Sequence, residues 1–299
     1  MTTTPTVAVI TSTIGRSSLL DTIDCIKKQS YPCRHYVFVD GEQHHQAVKK
    51  MVKAHPEIVV TYLPVSTGAT GLYNSAINAI APFIATEDII CFLDDDNTVT
   101  TNHVEQFATN FSRYKIDYAY SLRNFYLAED KLTFADNLDS LGFWISPSQI
   151  VLDAHFELNG KIYRNQIAQI RNNPALIDVN CMALKRELAQ QLASTWMQTG
   201  YGNDRNITQA LLSNSEVITG LCTSIRTVNY TMHFDNFVQP PQEVYNQLDA
   251  KTNKDKNIIR KQLFLQYMEY IDRIGQDCRP WETPTIFKNG QLYTHFDDA

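Results

Sequence analysis

The chain has 299 residues, 26 basic against 32 acidic side chains and a formal charge of −6, which leaves no chain-wide basic field for nucleic acid or an anionic membrane. With 43% hydrophobic and 19% charged residues, 15 Tyr and 14 Phe, it is too apolar for disorder and too interrupted by polar residues for an integral membrane protein. What remains is a soluble globular chain, either one large domain or a main domain with an appendage.

Val7-Ala-Val-Ile10 predicts a first strand, Thr11 to Gly15 a polar loop, and Leu19, Leu20, Ile23 and Ile26 a helix that ends near Gln29-Ser-Tyr-Pro32. Tyr36-Val-Phe-Val39 is a second buried-type strand stopping at Asp40-Gly41, residues 45–54 are helical, and Ile58 to Leu63 is a third strand. A helix over residues 71–84 then leads to a fourth strand, Ile89-Ile-Cys-Phe-Leu93. Such alternation implies right-handed crossovers and a mainly parallel, doubly wound sheet. Ligands of these sheets sit at the carboxyl ends of the strands, which here carry Thr11 to Thr13, Asp40, and Asp94, Asp95 and Asp96.

Beyond this point the periodicity weakens. A helix is expected over 97–111, a strand over 115–122, an irregular aromatic-rich stretch over 124–176, and a helix from Leu184 towards Trp196. Ile207 to Leu212 resumes helical spacing, and Thr223 to Tyr230 alternates as a strand ending at His233. Pro240-Pro241 marks a break, after which Ile258 to Ile274 is the main helix of a tail. The organisation read from these signals is a domain over 1–237 and a helical C-terminal extension over 238–299.

Neither export nor a membrane span is expected. Met1 to Thr6 lacks the basic and apolar regions of a signal peptide, and the most apolar stretch, Ala76 to Leu93, is interrupted by Asn78, Thr86, Glu87 and Asp88. The cysteines at 25, 33, 91, 181, 222 and 278 form no Cys-x-x-Cys pair, which fits reduced thiols in a cytoplasmic protein better than disulfides or a zinc site.

The sharpest chemical feature is Cys91-Phe-Leu-Asp-Asp-Asp-Asn97, three carboxylates directly after a buried strand. Like charges this close repel, and desolvating a carboxylate is costly, so the arrangement suits a site neutralised by a cation. Oxygen ligands select Mg²⁺ or Mn²⁺, bound by one or two carboxylates plus phosphate oxygens. A solvated acidic turn is the plainer alternative.

The order Val7 to Arg16, Leu19-Leu20, Gln29-Ser-Tyr-Pro32, Val37-Phe-Val-Asp40, Gly71 to Asn74 and Phe92-Leu-Asp-Asp-Asp96 resembles the family 2 glycosyltransferases of GT-A fold. The likeness is good over residues 5–100 and looser over 175–235. It implies an α/β GT-A sheet with flanking helices whose 1–100 half binds a nucleotide and whose 101–237 half binds an acceptor. It also implies inverting transfer of a sugar from a UDP-sugar to a hydroxyl of a glycan, lipid-linked or other glycoconjugate acceptor, with Mn²⁺ or Mg²⁺. By this likeness Thr11, Thr13 and Arg16 line the nucleotide, Asp40 accepts from uracil or ribose, and Asn74, Asp94 and Asp95 contact the nucleotide-sugar. Asp96 would bind the metal, with His233 as a further ligand. Asp204, opening a helix in Gly200-Tyr-Gly-Asn-Asp-Arg205, would be the catalytic base. Three departures from the family pattern stand out. Ser12 stands where Pro is frequent, Leu72-Tyr73-Asn74 lacks the Arg that commonly precedes the helical Asn, and Asn203 replaces the usual Glu before Asp204.

Two other readings use the same residues. Asp94 to Val99 also fits the Asp-x-Asp-x-Thr-Val pattern of haloacid-dehalogenase-type phosphohydrolases, with Asp94 as nucleophile. A non-catalytic nucleotide-sugar-binding module would keep the pocket without transfer. A nucleotidyltransferase is disfavoured, because no Gly-rich phosphate loop with Arg and Lys follows the first strand. No nucleic-acid partner is expected, and membrane contact is at most peripheral. The basic run Lys251, Lys254, Lys256, Arg260 and Lys261 reads either as an interfacial helix or as the solvated face of a packed one. Trp144 could stack on a sugar or sit in the core.

Overall fold

The computed structural model describes residues 4–144, 149–170, 175–200, 202–234, 237, 239–274 and 279–294. Over the first hundred residues, β1 (Val7–Thr13) leads to α1 (Leu19–Lys27), β2 (Arg34–Asp40) to α2 (His45–Val52), and β3 (Val59–Leu63) to α3 (Ser75–Ile84), before β4 (Ile89–Phe92). Next come β5 (Thr98–Val99), α4 (His103–Arg113), β6 (Tyr118–Leu127), β7 (Leu132–Ala135), β8 (Gln149–Leu158) and β9 (Lys161–Ile170). The chain returns through β10 (Met182–Lys185), α5 (Arg186–Gln191), α6 (Ala193–Trp196), α7 (Asn203–Ser213) and β11 (Gly220–Thr231). It closes with α8 (Gln242–Gln247), α9 (Asn253–Ile274), β12 (Thr285–Lys288) and β13 (Gln291–Tyr293).

The main sheet has the order β13-β12-β11-β6-β10-β4-β1-β2-β3. Strands β3, β2, β1 and β4 are parallel neighbours, β6 and β11 run the same way, and β10 is inserted antiparallel between β4 and β6. Because the chain leaves β1 for β2 on one side and later returns to β4 on the other, a crevice opens between the ends of β1 and β4. The last rung between them is Ile10↔Phe92, and β1 continues past it to Thr13. Strands buried on both faces read as unbroken apolar runs, as in Val7, Ala8, Val9 and Ile10 and in Ile89, Ile90, Cys91 and Phe92, all 2% exposed or less.

Three expectations change. The stretch 124–176 is not irregular among the described residues, because β8 and β9 pair antiparallel from Gln149↔Ile170 to Leu158↔Lys161. Alternate β8 residues Ile150, Leu152, Ala154, Phe156 and Leu158 are buried, in a second core with Phe264, Tyr267 and Met268 of α9. The tail is not purely helical, since β12 pairs with β11 and β13 with β12. Nor does packing break at residue 237. Trp281 and Ile286 belong to the main core, while α9 shares the second core with Phe125 of β6.

Helix α9 also closes the free edge of β8. Gln262 and Gln266, one turn apart, accept from the backbone N–H of Glu157 and His155 at 2.9 Å and donate back to the same residues' carbonyls at 2.8 Å. Side-chain amides thus replace the neighbouring strand that an open edge invites. Along α9, Ile259, Leu263, Phe264, Tyr267, Met268 and Ile271 are buried. The helix is therefore a packed core element, and its Lys261 pairs with Asp130. Trp144 packs half-buried against the main core, edge-on to Phe143, which stacks on Phe287.

Candidate active site

The three carboxylates after β4 have three different settings. Asp94 is clamped by amides: its N–H donates to Asn180 Oδ1 at 2.6 Å, and its oxygens accept from Asn74 Nδ2 at 2.7 Å and Asn180 Nδ2 at 3.0 Å. Burial, with Asp96 and Asp178 adding to it, pushes this carboxyl up to about 7 against those hydrogen bonds. Asp95 turns inward, where its oxygens accept from Thr13 Oγ1 at 2.6 Å and Arg16 Nη1 at 2.9 Å. Asp96 is the most open, with Arg16 Nη1 at 3.1 Å and His233 Nε2 at 3.7 Å from the same oxygen, Oδ2.

A buried charge network lies beneath this turn. Asn180 Nδ2 also donates to Asp178 Oδ1 at 2.8 Å, and Asp178 Oδ2 accepts from Arg123 Nη1. Arg123 further binds Asp136 at 2.7 Å and lies 4.4 Å from the centre of the Tyr230 ring. One guanidinium on β6 thus fixes Asp178, which fixes Asn180, which fixes Asp94. Neutralising buried carboxylates in this way is what makes the cluster tolerable.

Around the turn is a cleft of about 1380 Å³, lined among others by Thr13, Arg16, Asp40, Tyr73, Asn74, Asp94, Asp95, Asp96, Asp178, Asp204, Tyr230 and His233. Asp40, at the end of β2, accepts from the N–H and hydroxyl of Thr67 at 2.6 and 2.8 Å and from Gly68 N–H at 2.9 Å, so it pins the loop entering α3. A Cβ on Gly68 would come within 2.7 Å of the Tyr73 carbonyl. Tyr73 itself has a left-handed backbone, φ +50, and an exposed ring at the cleft. Across the cleft, Asp204 stands in the first turn of α7, and its Oδ1 accepts from Arg205 N–H at 2.9 Å. Burial first, and Asp178 second, push the Asp204 carboxyl up to about 7.

Residues 8–192 match the profile of Glycosyl transferase family 2. The chain belongs to that family. An uncharacterized protein of Haemophilus influenzae is 27% identical over 139 residues, covering 46% of this chain and 88% of that one. Among solved structures, S. aureus TarS 1-349 in complex with UDP-GlcNAc is similar in fold, with a TM-score of 0.52, 14% identity and coverage of 92% of this chain and 76% of that chain. The same protein in complex with UDP gives 0.50, at 14% identity and coverage of 90% and 74%. Family membership makes the chain a glycosyltransferase and sets aside the phosphohydrolase reading of Asp94.

In this glycosyltransferase the cleft brings together nine of the ten residues singled out from the sequence: Thr13, Arg16, Asp40, Asn74, Asp94, Asp95, Asp96, Asp204 and His233. Thr11 is the exception. Strand β1 extends to Thr13, Thr11 is paired in register with Val37, and its fully buried hydroxyl meets His35 Nε2 at 3.0 Å. It supports the sheet and does not line the cleft. Thr13 reaches the cleft wall, but its hydroxyl is committed to Asp95. Sequence reasoning missed Arg123, Asp178 and Asn180. Their signal was polar residues inside apolar strand-like runs, Leu176-Ile-Asp-Val-Asn-Cys-Met182 and Tyr118 to Leu127.

Among the described residues no group of three or more His, Cys, Asp or Glu side chains forms a complete metal cage. The donor set nevertheless fits a divalent cation that completes its shell with ligand oxygens. Asp96 offers a carboxylate and His233 an imidazole, both partly exposed and close enough to share one ion. Mg²⁺ and Mn²⁺ are commonly held by one or two carboxylates with phosphate oxygens supplying the rest.

Proposed function

We propose that this glycosyltransferase moves a sugar from a UDP-sugar to a hydroxyl of a glycan, lipid-linked or other glycoconjugate acceptor, with inversion and with Mn²⁺ or Mg²⁺ held by Asp96 and His233. One observation carries the reading: Asp204 lines the same cleft as Asp94 and Asp96, which follow β4 at the sheet's crevice. A base and an anion-handling turn then share one space, as transfer with a diphosphate leaving group requires. Asp40 and the loop it holds receive the nucleoside, while Asn74 and Asn180 orient Asp94 towards the ribose or sugar. Bound at Asp96 and His233, the cation would offset charge on the leaving diphosphate. Asp204 takes the acceptor's proton. The Arg205 N–H occupies Oδ1, and among the described residues Oδ2 accepts no hydrogen bond, so that oxygen is available to the incoming hydroxyl. A carboxyl titrating near neutrality suits this role, since a base works best with a pKa near the operating pH.

Among the described residues no helix is long and apolar enough to cross a membrane. The reading puts the reaction in the cytoplasm with at most peripheral membrane contact, in keeping with the free, buried thiols of Cys91, Cys181 and Cys222. The test is hydrolysis or transfer measured over a panel of UDP-, GDP-, CMP- and dTDP-sugars, with and without Mn²⁺. Metal-dependent turnover of a UDP-sugar that disappears in Asp96→Ala is expected. Activity that persists in that variant without metal would overturn the mechanism.

A further inference from the structure

Arg16 sits on the atom that the cation needs. Its Nη1 donates both to Asp95 Oδ1 and to Asp96 Oδ2, and the second oxygen is the one His233 Nε2 approaches. The two carboxylates differ in freedom. The Asp95 side chain is 4% exposed and tied to Thr13, whereas Asp96 is 25% exposed and Arg16 is 52% exposed. A guanidinium and a divalent ion on one carboxylate oxygen repel each other, so they cannot both keep full contact with Asp96. Arg16 can give up Asp96 without losing its anchor, because Asp95 holds the same nitrogen.

We infer that Arg16 is a resident counter-cation: in the empty cleft it bridges Asp95 and Asp96, and it yields Asp96, but not Asp95, to the divalent ion that arrives with the nucleotide donor. The inference rests on the metal reading of Asp96 and His233 given above. Once displaced from Asp96, the guanidinium stays beside the acidic turn with an N–H group released, and its planar fork can bind two oxygens of a diphosphate at once. The ion alone must compete with Arg16, whereas a diphosphate bound with the ion compensates both cations. Each should therefore tighten the other's binding by the same factor. Arg16 thus keeps Asp95 and Asp96 ordered before the donor enters and makes occupancy by bare metal unfavourable.

The experiment measures Mn²⁺ binding to the full chain from the free-ion electron paramagnetic resonance signal, and UDP binding by calorimetry with and without Mn²⁺. The proteins are the parent, Arg16→Gln, Arg16→Met, Arg16→Lys and Asp96→Asn. Removing the Arg16 charge should tighten Mn²⁺ alone by about two- to five-fold, the scale of a partly exposed ion pair. The same change should weaken UDP in the presence of Mn²⁺ by about ten-fold, the scale of a charge-assisted hydrogen bond, and so shrink the coupling between the two ligands. Arg16→Lys should stay near the parent for Mn²⁺ alone. Opposite shifts for metal and nucleotide are not what general loosening of the turn would give, and agreement between the Gln and Met variants guards against a folding defect in either. Unchanged or weaker Mn²⁺ affinity in both neutral variants, with Mn²⁺ binding lost in Asp96→Asn, would overturn the role of Arg16 alone. Mn²⁺ binding that survives intact in Asp96→Asn would overturn the metal reading and this inference with it.

Discussion

The buried charge of Asp204 gives a test that separates its role as a base from a role in capping α7. Its carboxyl is raised from the ordinary 3.8 to about 7 in the fold. Between those values the unfolded chain has released the proton and the folded chain still holds it, so stability falls as pH rises from about 4 to about 7 and is level above. At 1.36 kcal/mol per unit the whole window is roughly 4 kcal/mol. That is a ceiling, since partial exposure to the cleft reduces it to about 1–3 kcal/mol. Asp204→Asn keeps Oδ1 as acceptor for the Arg205 N–H and removes the charge. The variant should melt above the parent at pH 7.5, by about 2 °C per kcal/mol gained, with the gain shrinking towards zero near pH 4. Transfer should fall by about 10²- to 10⁴-fold with UDP binding kept. In the parent, kcat/KM should rise with pH through about 7, because only the ionised carboxylate accepts a proton. Differential scanning fluorimetry at pH 4.5, 6 and 7.5, calorimetry with UDP and product assays on the same preparations decide the matter. A melting difference that does not change with pH would refute the buried-charge argument, and full transfer by the variant would refute the base.

Other substitutions probe the scaffold. Asn180→Ala removes the amide between Asp94 and Asp178, and is expected to cost about 1–3 kcal/mol in urea unfolding and to weaken donor binding by about ten-fold or more; parent-like donor affinity would show that the clamp does not position Asp94. Gly220→Ala places a Cβ 2.0 Å from the buried Tyr118 ring, so a loss of about 2 kcal/mol or more is expected, and a parent-like unfolding midpoint would contradict the packing of β11 against β6. The double change Gln262→Ala and Gln266→Ala should speed amide exchange at His155 and Glu157 and promote self-association, read by hydrogen exchange and light scattering, with UDP affinity unaltered.

The half of the fold that carries the strand ends was legible because its periodicity is local. Val7 to Ile10, Tyr36 to Val39 and Ile89 to Leu93 are apolar runs with one structural solution once helices alternate with them, and the crossover rules then place Asp40 and Asp94 to Asp96 on one edge. The hairpin of β8 and β9 was not legible. Its alternation, Ile150, Leu152, Ala154, Phe156 and Leu158, gains meaning only when α9, about a hundred residues later, covers that face. Likewise β12 is short, and becomes a strand by pairing with β11. Thr11 failed for a related reason: a threonine at a strand end can be the last rung or the first loop residue, and here the register with Val37 decides. Arg123 could not be placed from sequence at all, since its three carboxylate partners lie 13, 16 and 55 positions away.

The charge inventory of the cleft supports the proposal that a nucleotide donor arrives with a cation. Asp21, Asp24, Asp40, Asp94, Asp95, Asp96, Asp178 and Asp204 line the space against Arg16 and Lys28, with the Arg123 guanidinium beneath it on Asp178. Arg123 is shared further with Asp136 and Asp139, and Arg205 is drawn to Asp139 as well. The site is therefore net negative before any diphosphate enters, and a second anion would be repelled where its leaving oxygen must be stabilised. Burial is the main cause that raises the Asp94 and Asp204 carboxyls, and the neighbouring carboxylates add to it. Asp178 contributes to both shifts, so the donor side and the proposed base are coupled through one carboxylate that Arg123 holds in place. A divalent ion at Asp96 would correct the imbalance at the point where the diphosphate is proposed to sit, and Asp96 is not among the groups that set the Asp204 shift.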